Sequence, residues 1–286
     1  QLLTLYLLKA GRVDDAITVA RRASRLELGS REGALADEAV ATSPPDFVII
    51  GVPKAGTTSL LRCLSHHPLI WCHPRKELHF FDQDHHYGEE WYRAQFPVFE
   101  PKAGILRGES TPNYFSNPLA ASRMAALMPQ GRCIVLLRDP IERAISWIRH
   151  LQRLQGLSGD LENLLRRELT AMADLDTSAL MAQDKLFTRG LHDSCYDLAL
   201  QRWMQHFPAE QVLLVSSERL FSNPAVELAA VLAFLDLPED VDLLMPHWGH
   251  LNRNPRPAIA LSAELRRDLE SFFRGHSQEA LSRFQD

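Results

Sequence analysis

The sequence predicts an α/β fold: a central parallel sheet flanked by helices, with a short helical segment ahead of it. Three observations carry that expectation. Short unbroken apolar runs, Phe47-Val48-Ile49-Ile50 and Cys133-Ile134-Val135-Leu136-Leu137 among them, read as strands buried on both faces. These runs alternate with longer stretches of helical periodicity, the pattern of a doubly wound parallel sheet. The chain has 286 residues and is 45% hydrophobic, enough to bury the core of one large α/β unit and too apolar for disorder.

Taken in order, residues 1–30 form an amphipathic helical segment broken at Gly11. The run Leu7-Leu8-Lys9-Ala10-Gly11-Arg12-Val13-Asp14-Asp15-Ala16-Ile17, followed by Ala20 and Ala23, resembles the middle of a tetratricopeptide repeat. One such repeat cannot bury its own face. The segment therefore reads either as an arm or cap open to a protein contact, or as an ordinary hairpin packed on the main domain. Residues 31–45, polar and closed by Ser43-Pro44-Pro45, read as a linker, and 46–286 as the main domain. Strands are expected at Phe47–Ile50, Ile105–Gly108, Cys133–Leu137 and Val212–Val215. Helices are expected at Thr57–Ser65, Ile141–Leu154, Tyr196–His206, Ala225–Leu235 and Ser262–Phe273. The polar stretches Gln83–Pro97 and Gly156–Leu191 read as substrate loops.

The net charge of −5 argues against nucleic acid, whose partners carry a basic stripe. A single anionic nucleotide needs only a local cluster of cations. The four cysteines, Cys63, Cys72, Cys133 and Cys195, lack metal-ligand spacing and read as buried thiols. His85-His86 and the pair His247/His250 lack a third ligand, so no metal is expected. No apolar run reaches the ~18 residues of a membrane span. The expected location is cytoplasmic, although the chain opens on Gln1 and is silent about any upstream targeting segment.

Two constellations carry chemistry. The first is Gly51-Val52-Pro53-Lys54-Ala55-Gly56-Thr57-Thr58-Ser59, between a strand and a helix. A helix N-terminus offers unpaired N–H groups and a positive dipole end, which suit a phosphate. The glycines allow close backbone approach, and Lys54 adds a mobile charge. Thr57, Thr58 and Ser59 can cap the helix and donate hydroxyls. The lysine precedes the second glycine, so this is not a Walker A loop. The second is Arg138-Asp139-Pro140-Ile141-Glu142-Arg143-Ala144-Ile145-Ser146, where another strand ends in a cation and Pro140 fits the first helical position. Ser146 lies about two turns into that helix. Arg138 and Ser146 are thus placed to grip one phosphate at the usual ligand edge of such sheets.

Together, Pro-Lys-x-Gly-Thr-Thr-Ser and Arg-Asp-Pro-x-x-Arg-x-x-Ser resemble the sulfotransferase superfamily that uses 3′-phosphoadenosine-5′-phosphosulfate (PAPS). Lys76-Glu77-Leu78-His79-Phe80-Phe81-Asp82, Gly108–Phe115, and Tyr196 through Trp203 to Phe207-Pro208 are similar to its heparan-sulfate (glycan) branch. Asn252–Pro257 is similar to the C-terminal nucleotide loop of bacterial members. The resemblance implies a P-loop-type sheet and use of PAPS, with 3′-phosphoadenosine-5′-phosphate (PAP) as product and no metal. It implies that Lys54, Ala55, Gly56, Thr57, Thr58 and Ser59 hold the 5′-phosphosulfate and that Arg138 and Ser146 hold the 3′-phosphate. Tyr196, Arg253 and Arg256 would serve the adenosine side. There the chain departs from the family, with Ser194-Cys195-Tyr196 in place of Gly-x-Tyr and Arg253–Arg256 in place of a lysine-glycine loop.

Transfer needs a base at the acceptor and a cation at the leaving oxygen, a role that suits Lys54. The resemblance puts the carboxylate base at Glu77, and His79 is the alternative. A carboxylate beside Phe80 and Phe81 is expected to be partly desolvated, with its pKa raised. Glu109 is expected to brace Lys54 or the acceptor. The acceptor could be a glycan, a lipid, a small molecule or a carrier-bound chain, and fold does not choose among them. Two competing readings are a P-loop kinase using Mg²⁺-ATP and a nucleotide-binding interaction module.

Overall fold

The computed structural model describes residues 2–28, 43–99, 104–173, 175, 188–249, 251 and 261–283. Arg253, Arg256, His250 and most of the expected linker lie outside these. Helices α1 (Leu2–Lys9) and α2 (Val13–Leu28) form a hairpin turning at Gly11, whose φ is 72°. Leu7, Leu8, Ala16, Ile17 and Ala20 are buried in the same apolar cluster as the sheet, and α2 packs on a short helix, α4 (Glu89–Arg93). The hairpin thus rests on the main domain.

Five parallel strands follow among the described residues: β1 (Phe47–Gly51), β2 (Ile70–Cys72), β3 (Leu106–Ser110), β4 (Arg132–Leu137) and β5 (Val212–Ser216), in the order β2-β3-β1-β4-β5. β1 lies at the centre, paired to β3 through Phe47↔Gly108 and to β4 through Phe47↔Arg132. Each of its residues is buried, as its unbroken apolar run requires. Gly108 makes room for the Phe47 ring, since a Cβ there would lie 2.1 Å from it. β2 was not expected from the sequence; it has three residues, too few to show a period.

The helices are α3 (Thr57–Leu64), α5 (Ala120–Leu127), α6 (Pro140–Leu154), α7 (Leu161–Ala173), α8 (Tyr196–Met204), α9 (Ser217–Ser222), α10 (Pro224–Phe234), α11 (Ala263–Arg274) and α12 (Gln278–Ser282), with α4 between β2 and β3. α7 corrects the expectation of a loop over Gly156–Leu191: its Leu161, Leu164, Leu165 and Met172 face inward at helical spacing among charged neighbours. A second apolar cluster joins α6, α7 and α11 through Ile141, Ile145, Ile148, Leu165, Leu265 and Leu269. It fixes α6 from behind and leaves the polar face of that helix turned to the sheet's C-terminal edge. From β1 the chain crosses to β2, returns through β3 and then passes to β4 on the other side of β1, so the strand order reverses beside β1 and a crevice opens at that edge. Among the described residues no helix is long and apolar enough to cross a membrane, and no group of three His, Cys, Asp or Glu could hold a metal ion.

Candidate active site

A cleft of about 1210 Å³ lies at the carboxyl edge of β1 and β4. Pro53, Lys54, Gly56, Thr57 and Thr58 line one wall. The turn between β1 and α3 places Lys54 at φ 75° and Gly56 at φ 102°. Gly56 is the N-cap of α3, and no side chain caps it, contrary to the capping role expected of Thr57, Thr58 and Ser59. The first amides of α3 are therefore left to a ligand. No larger residue fits at Gly56, because a Cβ would meet the Phe221 ring at 2.8 Å. Ala55 is fully buried behind the loop. Ser59 turns away too, its hydroxyl accepting the Leu251 N–H at 3.0 Å.

The second anchor meets the first directly. The Arg138 guanidinium donates from Nη1 to the Lys54 carbonyl at 3.0 Å. Neither adjacent carboxylate takes Arg138: Asp139 caps α6 by accepting the Glu142 N–H at 2.8 Å, and Glu142 pairs with Arg266 at 3.3 Å. Ser146 lines the cleft with Glu142, Arg149 and Arg153, the face that helical spacing puts on one side of α6. Lys54 is the focus of this charge. Its pKa is lowered, first by burial and then by Arg153, Lys76 and Arg138. Tyr196 is fully buried outside the cleft lining, and its hydroxyl donates to the Arg138 carbonyl at 2.8 Å. It steadies the anchor from beneath. Ser194, which stands where the family pattern has glycine, is buried with its hydroxyl accepting from Arg143 Nε at 2.6 Å.

The opposite wall carries the base segment. Glu77 and His79 line the cleft with φ of 68° and 57°, left-handed values that are uncommon outside glycine. Lys76 Nζ donates to Glu77 Oε1 at 2.9 Å. His79 bridges two carboxylates, with Nδ1 2.9 Å from Asp82 Oδ2 and Nε2 3.6 Å from Glu77 Oε2. These neighbours overturn the expected rise in the Glu77 pKa. The His79 ring and Lys76 outweigh burial and hold Glu77 at about 2. Burial works against charge on His79, but Asp82 and Glu77 outweigh it and raise the ring to about 9. Phe80 and Phe81, expected to desolvate Glu77, point into the core, where Phe80 stacks on Tyr92 at 4.5 Å.

Asp82 received no role from the sequence, although it sits three residues from His79 in the motif already singled out. Lys76, Arg149, His150 and Arg153 were missed as well; for the three on α6, spacing from Ser146 was the available signal. Glu109 is not beside Lys54. It is fully buried and accepts hydroxyls of Tyr92 and Thr111.

The comparisons with known proteins agree with this geometry. A family model described as sulfotransferase domain matches residues 44–274. The chain is 37% identical over 194 residues to heparan sulfate glucosamine 3-O-sulfotransferase 3B1 of Mus musculus, covering 68% of this chain and 46% of that protein. It is 32% identical over 224 residues to bifunctional heparan sulfate N-deacetylase/N-sulfotransferase 1 of Caenorhabditis briggsae, covering 74% and 24%. The chain thus spans half or less of the length of these curated relatives. Among solved structures, a sulfotransferase from Alicyclobacillus acidocaldarius superposes with a TM-score of 0.62 at 25% identity, covering 84% of this chain and 96% of that one.

Proposed function

This chain belongs to the sulfotransferase family, and from that premise we propose that it is an enzyme transferring a sulfuryl group from PAPS to a hydroxyl or amine of a glycan. One observation carries the donor half of the reading: Arg153, Lys76 and Arg138 gather around Lys54 and add to the lowering that burial imposes on it, a cost that a bound polyanion relieves. The glycan half rests on relatives named for heparan sulfate at 37% and 32% identity. The kinase reading is not favoured, because the loop lacks Gly-Lys-Ser/Thr.

The residues present fit the donor, since no side chain caps the first turn of α3 where it faces the cleft and Lys54 and Arg138 stand beside it. Lys54 and the first amides of α3 suit its 5′ end, and Arg138 with Ser146 suits a 3′-phosphate. When bound, the donor supplies an activated sulfuryl group, with PAP as the other product. Positioning and charge then provide most of the catalysis, as in phosphoryl transfer. Lys54 neutralises charge growing on the leaving oxygen. Glu77, ionised throughout the neutral range, accepts the acceptor's proton. The protonated His79, anchored by Asp82, orients Glu77 from 3.6 Å, too far for a hydrogen bond that would use up the carboxylate's accepting capacity.

Calorimetric titration with PAP tests the donor site. Saturable binding is expected, weakened ~10–150-fold in Arg138→Ala, the value of a charge-assisted hydrogen bond. Absence of binding, or binding indifferent to Arg138, would refute the assignment. Transfer of labelled sulfate from PAPS to heparan sulfate, abolished in Glu77→Gln, tests the acceptor half.

A further inference from the structure

Beneath the base segment lies a carboxyl group that the chemistry above does not use. Glu109, on β3, is fully buried. Its Oε2 accepts the Thr111 hydroxyl at 2.7 Å and its Oε1 accepts the Tyr92 hydroxyl at 3.2 Å. The Tyr114 hydroxyl lies beside it. Burial raises its pKa to about 7, and these three hydroxyls oppose that rise.

Two of the hydroxyls also accept a backbone N–H. Thr111 Oγ1 accepts the His79 N–H at 3.4 Å, and Tyr114 Oη accepts the Phe80 N–H at 2.8 Å. A hydroxyl has one proton and two lone pairs. With its proton directed at the Glu109 carboxylate, the Thr111 hydroxyl presents only lone pairs to the backbone above it. The Glu77 N–H completes the seat by donating to the Ser110 carbonyl at 2.9 Å. The amides of residues 77, 79 and 80 therefore all rest on the end of β3. Left-handed backbone is unfavourable for a non-glycine residue and persists only where the surroundings over-determine it. Glu77 and His79 both adopt it, and this seat is what holds them there.

We propose that Glu109 is a positioning residue for sulfuryl transfer, orienting the Thr111 hydroxyl so that, beside the Tyr114 hydroxyl under Phe80, it clamps the strained backbone presenting Glu77 and His79 to the acceptor. The proposal rests on the reading of Glu77 and His79 as the acceptor-end pair, and its test includes a readout that needs no turnover.

That readout is the pKa of the His79 ring, followed by carbon-13 NMR, because it is high only while the ring sits between Glu77 and Asp82. Thr111→Val removes one arm of the clamp without touching the Glu109 side chain, so it tests the hydroxyl apart from the carboxyl group. Thr111→Val and Glu109→Gln are expected to lower the His79 pKa by at least one unit and kcat by at least tenfold, with PAP affinity within twofold of the parent. Thr111→Ser, which restores the hydroxyl, is expected to recover both. An unchanged His79 pKa in Thr111→Val overturns the proposal. So does loss of PAP affinity in step with kcat, which would mark a merely structural role. Full transfer by Glu77→Gln would instead sink the base assignment, while the His79 titration still judges Glu109 on its own.

Discussion

Sweeping pH decides which member of the acceptor-end pair takes the proton. His79 moves from 6.5 to about 9, worth about 3 kcal/mol at ~1.4 kcal/mol per unit, and its side chain is only 19% exposed, so screening removes little. The fall of Glu77 from 4.5 to about 2 is largely the same attraction viewed from the other partner. Its side chain is 37% exposed, so that second figure is screened and is not added to the first. At pH 7 about one His79 ring in a hundred is neutral. If His79 were the base, transfer from PAPS to heparan sulfate would climb about fiftyfold between pH 7 and 9. With Glu77 as base, the carboxylate is already ionised, and no climb of that size occurs between pH 7 and 9. Replacing the ring with an amide in His79→Gln returns Glu77 toward 4.5, moving the acid limb of the profile up by as much as ~2 units while activity survives at neutral pH. The assay is PAP release at constant ionic strength with heparan sulfate as acceptor. A wild-type rate rising tenfold or more from pH 7 to 9 would refute the assignment. The same linkage sets stability: the raised His79 pKa contributes fully below pH 6.5, and the contribution is lost as pH passes about 9.

Two further outcomes follow from the same geometry. Gly56→Ala must place a Cβ 2.8 Å from the Phe221 ring at φ 102°, so it should cost ~1–2 kcal/mol of backbone strain alone and weaken PAP binding at least tenfold by calorimetry; unchanged affinity would show that the turn does not cradle the donor. Burial alone would raise the pKa of Asp193, but the His192 ring with Arg189 and Arg143 holds it well below the usual carboxylate range. Its contribution is therefore present above pH 3.8 and lost on acidification, and Asp193→Asn should lower the urea midpoint at pH 7 more than at pH 3; equal losses at both would contradict that pairing.

The two runs proposed as donor anchors were legible as local structure, because in each a strand, a turn and a helix start fall within one short run, so residue type and spacing dictate where Lys54, Gly56, Arg138 and Ser146 sit. Four of the five strands were legible for a related reason, an apolar run ended by a turn; β2 was too short to show one. The helix over Leu161–Ala173 was written in Leu161, Leu164, Leu165 and Met172, but its charged neighbours hid the period. The base pair was legible as residues and illegible as chemistry. Whether Glu77 carries a raised or a lowered pKa depends on which side chains face it, and that depends on two left-handed residues held by the Ser110 carbonyl and by the Thr111 hydroxyl, the latter 32 residues from His79 along the chain. No local pattern encodes such a contact. The sequence by itself thus determined the fold and the cationic turn that awaits an anion. Tertiary structure decided that Phe80 and Phe81 point away from Glu77, that Lys76 and His79 close on it, and that Tyr196 supports Arg138 from below, because each is the outcome of packing between elements distant in the chain.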